Sequence, residues 1–188
     1  GTAFVELSCV RDPELVASSI AESLGIPEIG SDGVLETIKG QLRDKPVLLV
    51  LDNFEQVIAS ATQIAELIED LPGSKVVATS RELLHLSIEV EYAVPPLAVP
   101  SGDTTLTADE ARRFESIVIF EKRARSASPE FAVTDENAAD IAEICARLDG
   151  LPLAIELAAA RAKILSPAEI LAKLDDRLSL LTGGAKDL

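Results

Sequence analysis

Val47-Leu48-Leu49-Val50-Leu51-Asp52 is an unbroken apolar run closed by an acid. A strand with one solvated face alternates apolar and polar residues, so a continuous run predicts a parallel strand with neighbours on both faces. Upstream, Ala3–Leu7 reads as a short strand. Asp12-Pro13 then supplies an N-cap and a first-turn proline for a helix whose apolar positions Leu15, Val16, Ile20 and Leu24 recur until Gly25. A second helix is predicted from about Ser31 to Arg43. Downstream, a helix is predicted from about Phe54 to Asp70, stopped at Pro72-Gly73. Strands follow at Lys75–Thr79, ending in Ser80-Arg81, and at Ile88–Val94. Strands alternating with helices imply right-handed crossovers and an α/β fold with a parallel, doubly wound sheet.

Breakers then dominate, at Pro95-Pro96 and again through Pro100-Ser101-Gly102-Asp103. Beyond them the periodicity is helical, near Ala108–Ala127, Asp135–Leu148, Pro152–Ile164 and Pro167–Leu174. Ser166-Pro167-Ala168-Glu169 forms a capping box with proline in the first turn. Ala138, Ile141, Ile144, Cys145 and Leu148 share one helix face, while the Pro152 helix is apolar nearly all round and is expected at the centre of its bundle. The predicted organisation is a partial α/β domain over residues 1–98 and an all-α domain over 99–188.

The chain has 188 residues, 47% apolar content and a formal net charge of −15. Such a potential repels phosphate backbones unless a basic stripe outweighs it. The densest basic stretch, Lys122, Arg123 and Arg125, reads as the solvated face of a helix, so direct nucleic-acid binding is not expected. Cys9 and Cys145 lie in apolar-periodic segments without metal spacing and read as two buried free thiols of a reducing cytoplasm. No stretch reaches the ~18 apolar residues of a membrane span, and a cytoplasmic location with no membrane partner is expected.

Three short strings could carry chemistry. A carboxylate at the carboxyl end of a buried parallel strand, here Asp52, can hold the water shell of Mg²⁺; the same position equally caps the next helix. Val76-Val77-Ala78-Thr79-Ser80-Arg81 brings hydroxyls and a guanidinium to the same sheet edge, a fork suited to a terminal phosphate or to a neighbouring carboxylate. Gly150-Leu151-Pro152-Leu153-Ala154 joins two helices and presents proline and leucines as an apolar wall. His85 is the sole histidine and lacks a nucleophile or second ligand, and Asp175 and Asp176 read as solvent-facing.

Together and in this order, Leu51-Asp52-Asn53-Phe54-Glu55, Thr79-Ser80-Arg81 and Gly150-Leu151-Pro152-Leu153-Ala154 resemble the nucleotide-binding region of STAND ATPases, the NB-ARC domains of bacterial AfsR-like and LuxR-type regulators. Phe4-Val5-Glu6-Leu7, Val94-Pro95-Pro96-Leu97, Asp135-Glu136-Asn137-Ala138 and Leu181-Thr182-Gly183-Gly184 extend the resemblance along the chain. It implies a P-loop NTPase-like sheet and an ATP/ADP switch with Mg²⁺, slow in hydrolysis and read out by attached sensor and effector domains or by self-association. Asp52 would organise the metal, with Asn53 and Glu55 beside it as catalytic positions. Thr79, Ser80 and Arg81 would sense phosphate, and Leu151, Pro152 and Leu153 would pack on adenine. Asn53 can orient a water without accepting its proton.

Gly-x-x-x-x-Gly-Lys-Ser/Thr is absent from the sequence. In the resembled family that motif precedes the stretch matching Thr2, so the chain reads as a truncated middle with its first strand missing. The missing strand would lie between Val47–Leu51 and Lys75–Thr79, which are then expected either to close up and pair or to associate through their edges. The competing expectations are a nucleotide-free protein-interaction or oligomerisation scaffold on the same fold and, disfavoured by charge, a DNA-binding regulator in its own right.

Overall fold

The computed structural model describes residues 1–27, 33–100 and 106–174. The chain divides into two compact units, Gly1–Tyr92 and Ala93–Leu188. The first is a small parallel α/β sheet and the second is all-α.

The first unit holds strands β1 (Thr2–Glu6), β2 (Leu48–Asp52) and β3 (Lys75–Ala78), in the order β1-β2-β3 and parallel throughout. The apolar run at Val47 thus becomes the central strand. β2 and β3 pair directly, Leu49 beside Val76 and Leu51 beside Ala78, so the sheet is contiguous and no strand lies between them. Helices α1 (Val16–Ser23) and α2 (Val34–Leu42) connect β1 to β2, and α3 (Ala61–Glu69) connects β2 to β3. Asp52 is followed by two 3-10 turns, Phe54–Gln56 and Ile58–Ser60, not by the continuous helix the sequence predicts; Val57, at φ −135° and ψ 33°, leaves the helical region between them.

The sheet is not doubly wound. Both connections step in the same direction across the sheet, and right-handed crossovers then place both sets of helices on one face. Burial agrees: Ala3, Val5, Leu49 and Leu51 share one core with Val16, Ile20, Ile38, Ile64 and Leu67 of the helices. On the opposite face the register lines up Phe4, Val50 and Val77 in a row. Phe4 is 59% and Val77 53% exposed. Parallel sheets ordinarily bury both faces, so this face is bare. Among the described residues strand order does not reverse, and the crevice that a reversal opens at the carboxyl edge does not form.

Ile88–Val94 is not a strand. Its residues alternate as a strand should, but Val90–Val94 runs as exposed chain with no sheet neighbour. Just before it, the Glu89 carboxylate accepts the N–H of Leu84 at 3.0 Å and of Leu86 at 3.3 Å, which fixes the root of the segment. These bonds hold the Glu89 carboxyl below its ordinary range, burial opposing them.

In the second unit, α4 (Ala108–Ala111) is opened by a capping box between Thr107 and Glu110. It is separate from α5 (Glu115–Ala127), where a single helix is predicted. α6 (Ala138–Arg147), α7 (Pro152–Ala159) and α8 (Pro167–Lys173) follow, α8 with the expected box between Ser166 and Glu169. α5 packs on α7, and α6 on α8. The α6 face predicted from spacing, Ala138, Ile141, Ile144, Cys145 and Leu148, is buried as a set. α7 buries Ile155, Ala158 and Ala159 but exposes Leu151 and Leu153, so it is not apolar-embedded all round.

Cys145 is buried, its thiol facing the Ser116 carbonyl at 3.6 Å, and burial pushes its pKa up to about 12. Cys9 is exposed, against expectation, because it falls in a turn after β1 and not in a helix face. Among the described residues no helix is long and apolar enough to cross a membrane. Ser31, Ser101-Gly102-Asp103, Asp175, Asp176 and Leu181-Thr182-Gly183-Gly184 lie outside the described residues.

Candidate functional site

At the carboxyl edge of the sheet the first two strings do meet. β2 delivers Asp52 and β3 delivers Thr79, whose hydroxyl donates to Asp52 Oδ1 at 2.5 Å and accepts the Asn53 N–H at 3.0 Å. Backbone bonds lock the same corner: Thr79 N–H donates to Leu51 O at 3.0 Å, and Phe54 N–H donates to Thr79 O at 2.9 Å. Asn53 sits in the left-handed region at φ 59°, which asparagine tolerates better than most residues and which turns the chain sharply out of β2. Its side-chain amide reaches Glu55 Oε1 at 3.5 Å, a long contact.

Glu55 in turn pairs with Arg81 Nε at 3.2 Å. The Arg81 side chain is 82% exposed while the Glu55 side chain is nearly buried. Ser80 Oγ accepts the Glu82 N–H at 3.2 Å, a local turn bond. The residues expected to hold metal and phosphate therefore spend their polar groups on one another. Asp52 and Thr79 join two strand ends, and Glu55 and Arg81 clasp the loops that follow them. Among the described residues no group of three or more His, Cys, Asp or Glu could hold a metal ion. A cavity of about 420 Å³ lined by Leu15, Ser18, Ser19, Glu22 and Ile26 lies on the α1 side, and another of about 240 Å³ lies between Leu42–Pro46 and Leu71–Ser74. Neither includes Asp52, Thr79 or Arg81.

The third string belongs to the second unit and has its own structural cause. Asp149 and Gly150 both take positive φ, 54° and 67°, and Gly150 N–H donates to Cys145 O at 3.1 Å to close the α6 carboxyl end. Gly150 O accepts Leu97 N–H at 3.0 Å, and a Cβ on Gly150 would fall 2.2 Å from the Leu97 carbonyl oxygen. Glycine is required here twice over. Pro152 opens α7, and Leu151, Pro152 and Leu153 stand exposed beside it as the expected apolar wall.

The strongest polar cluster escaped sequence reasoning. Glu121 on α5 accepts both Arg112 Nε at 3.1 Å and Arg112 Nη2 at 3.2 Å, together with Val133 N–H at 3.3 Å, and Arg125 lies at 3.4 Å. Burial opposes its charge, but Arg112, the Val133 amide and Arg125 outweigh that and hold the carboxyl below its ordinary range. The i to i+4 spacing of Glu121 and Arg125 was the one available signal; Arg112 and Val133 come from other segments.

No family model matches the chain. An uncharacterized protein of Mycobacterium tuberculosis and its counterpart in Mycobacterium bovis are each 39% identical over 181 residues, 96% of this chain and 43% of the relative. A protein of Mycobacterium tuberculosis named "Putative HTH-type transcriptional regulator" is 34% identical over 187 residues, 99% of this chain and 20% of the relative. The last of these relatives is named a regulator and not a STAND or P-loop NTPase domain, which overturns the resemblance and the ATP/ADP-switch reading built on it. In the structure the three strings form a strand-end clasp, an ion pair and a helix joint. The exclusion of nucleic acid as a partner is likewise overturned by that relative: a net charge of −15 sets the far field of a chain and does not decide a local contact or a neighbouring region. The chain spans 43% of the length of the uncharacterized relatives and 20% of that of the regulator.

Proposed function

We propose that this chain is a nucleotide-independent interaction and assembly segment of a cytoplasmic transcriptional regulator. The observation that carries the reading is the apolar row Phe4–Val50–Val77, exposed at Phe4 and Val77 and half-buried at Val50, on a parallel sheet whose opposite face packs against the helices. A solvated apolar sheet face is a binding surface or a liability, and a regulator works through contacts among its parts and copies. The relationship to a protein named as an HTH-type regulator supplies the setting, in which contact with nucleic acid belongs to the regulator as a whole. Asp52, Thr79, Glu55 and Arg81 then act as the clasp that keeps the sheet edge in shape, and Leu151–Leu153 offer a second apolar contact.

Analytical ultracentrifugation of the chain with and without Mg-ATP and Mg-ADP tests the proposal. Association unaffected by nucleotide is the expected outcome. A strictly monomeric chain, association that requires ATP, or a low-micromolar nucleotide affinity by calorimetry would each overturn it.

A further inference from the structure

β3 is an edge strand. Lys75 N–H and Thr79 N–H donate to β2, at Val47 O and Leu51 O. Backbone groups alternate sides along a strand, so Val76 and Ala78 turn their N–H and C=O toward the open edge. An edge of that kind is a template for another strand. The same chain carries an unused strand: Val90, Tyr92 and Val94 alternate with Glu91 and Ala93 and are 89%, 86% and 82% exposed. Glu89 anchors its root and Pro95-Pro96 ends it, since proline cannot donate to a ladder.

We propose that Val90–Val94 of one copy pairs with the open edge of β3 in a second copy, and reciprocally, forming a strand-exchanged dimer. This rests on the assembly reading above and names its partner and mode. The sheet has two edges, β1 and β3; at β1 the Phe4 carbonyl already accepts the Ser23 hydroxyl at 2.6 Å, so β3 is the edge a second copy's free strand fits. Placing Tyr92 beside Val77 continues the apolar row Phe4–Val50–Val77 by one residue, with Val90 and Val94 on the same face.

Area selects this mode over packing of the bare faces alone. Two strands of five residues and one of four cover at most roughly 14 by 17 Å, about 240 Å², far short of the ~800 Å² per partner of a standard interface. An extended chain exposes about 160 Å² per residue. Burying half of a five-residue strand against an equal area of edge, twice by symmetry, removes about 1,600 Å², which is the standard size.

Light scattering on the full chain and on two variants tests the exchange. Tyr92→Pro removes pairing capacity from an unpaired, exposed segment, and Ala78→Pro removes an N–H that faces the open edge. Circular dichroism and melting curves establish that each folds; Val77→Glu replaces Ala78→Pro if the latter does not. The wild-type chain is expected to be dimeric, each variant at least about tenfold weaker in association, and the two variants mixed to recover a heterodimer, because one donor strand and one acceptor edge remain intact between them. Variants that associate as the wild type does, or a mixture that stays monomeric, overturn strand exchange while leaving the assembly reading in place. A monomeric wild-type chain overturns both.

Discussion

Arg81 was read from the sequence as a phosphate sensor and Gly150 as part of a helix joint, and the structure gives them very different weights. Alanine at Gly150 meets both an unfavourable positive φ and the Leu97 carbonyl, so Gly150→Ala is expected to cost about 3 kcal/mol in urea unfolding. A loss below about 1 kcal/mol would show that the joint relaxes freely. Arg81→Ala removes an exposed partner of Glu55, and such pairs contribute at most about 1 kcal/mol. Its unfolding midpoint should move little; a large shift would mean that Arg81 carries more than the Glu55 pair. Thr79→Val falls between these, losing the Asp52 and Asn53 bonds at a solvent-reached corner for about 1 kcal/mol.

Elements show where the sequence could be read and where it could not. The central strand at Val47–Leu51 was legible as an unbroken apolar run, and the α6 face because burial imprints a helical period on neighbouring residues. The bare sheet face was not, since Val50 sits in an apolar run whether its face is covered or exposed. Alternation at Val90–Val94 reports side-chain chemistry, while a strand also needs a neighbour, which no local pattern encodes. Asp52, Thr79 and Arg81 were rightly placed at one edge, but a carboxylate that caps a partner strand and one that organises a metal are written with the same residues.

The Glu121 cluster yields a pH prediction at this scale. Its folded carboxyl titrates below the ordinary ~4.3 of an unfolded glutamate. Its contribution is therefore full above that value and is lost as pH falls through the lower, folded one. Glu121→Gln should cost about 2 kcal/mol at pH 7 and progressively less as pH falls through the lowered folded value, so wild-type and variant unfolding midpoints should converge on acidification. Parallel pH curves for the two proteins would rule out the charged hub.

At the scale of the whole molecule, a charge of −15 on each copy opposes dimerisation. The screening length falls from about 10 Å at 0.1 M salt to about 3 Å at 1 M. Association through apolar strands and backbone bonds should therefore strengthen as salt is raised, read as a falling dissociation constant in sedimentation. Weakening with salt would assign the interface to ion pairs.

The bond from Leu97 to Gly150 also sets a schedule for the newborn chain. Leu97 and Val99 pack against the helical core, yet the carbonyl that holds Leu97 lies about fifty residues later. At synthesis rates of roughly 5 to 20 residues per second, these apolar side chains wait about 3 to 10 s before their anchor is made. Through that interval the second unit is an unfinished core with its first strip of chain unfastened, open to chaperones and to neighbouring nascent copies on the same message.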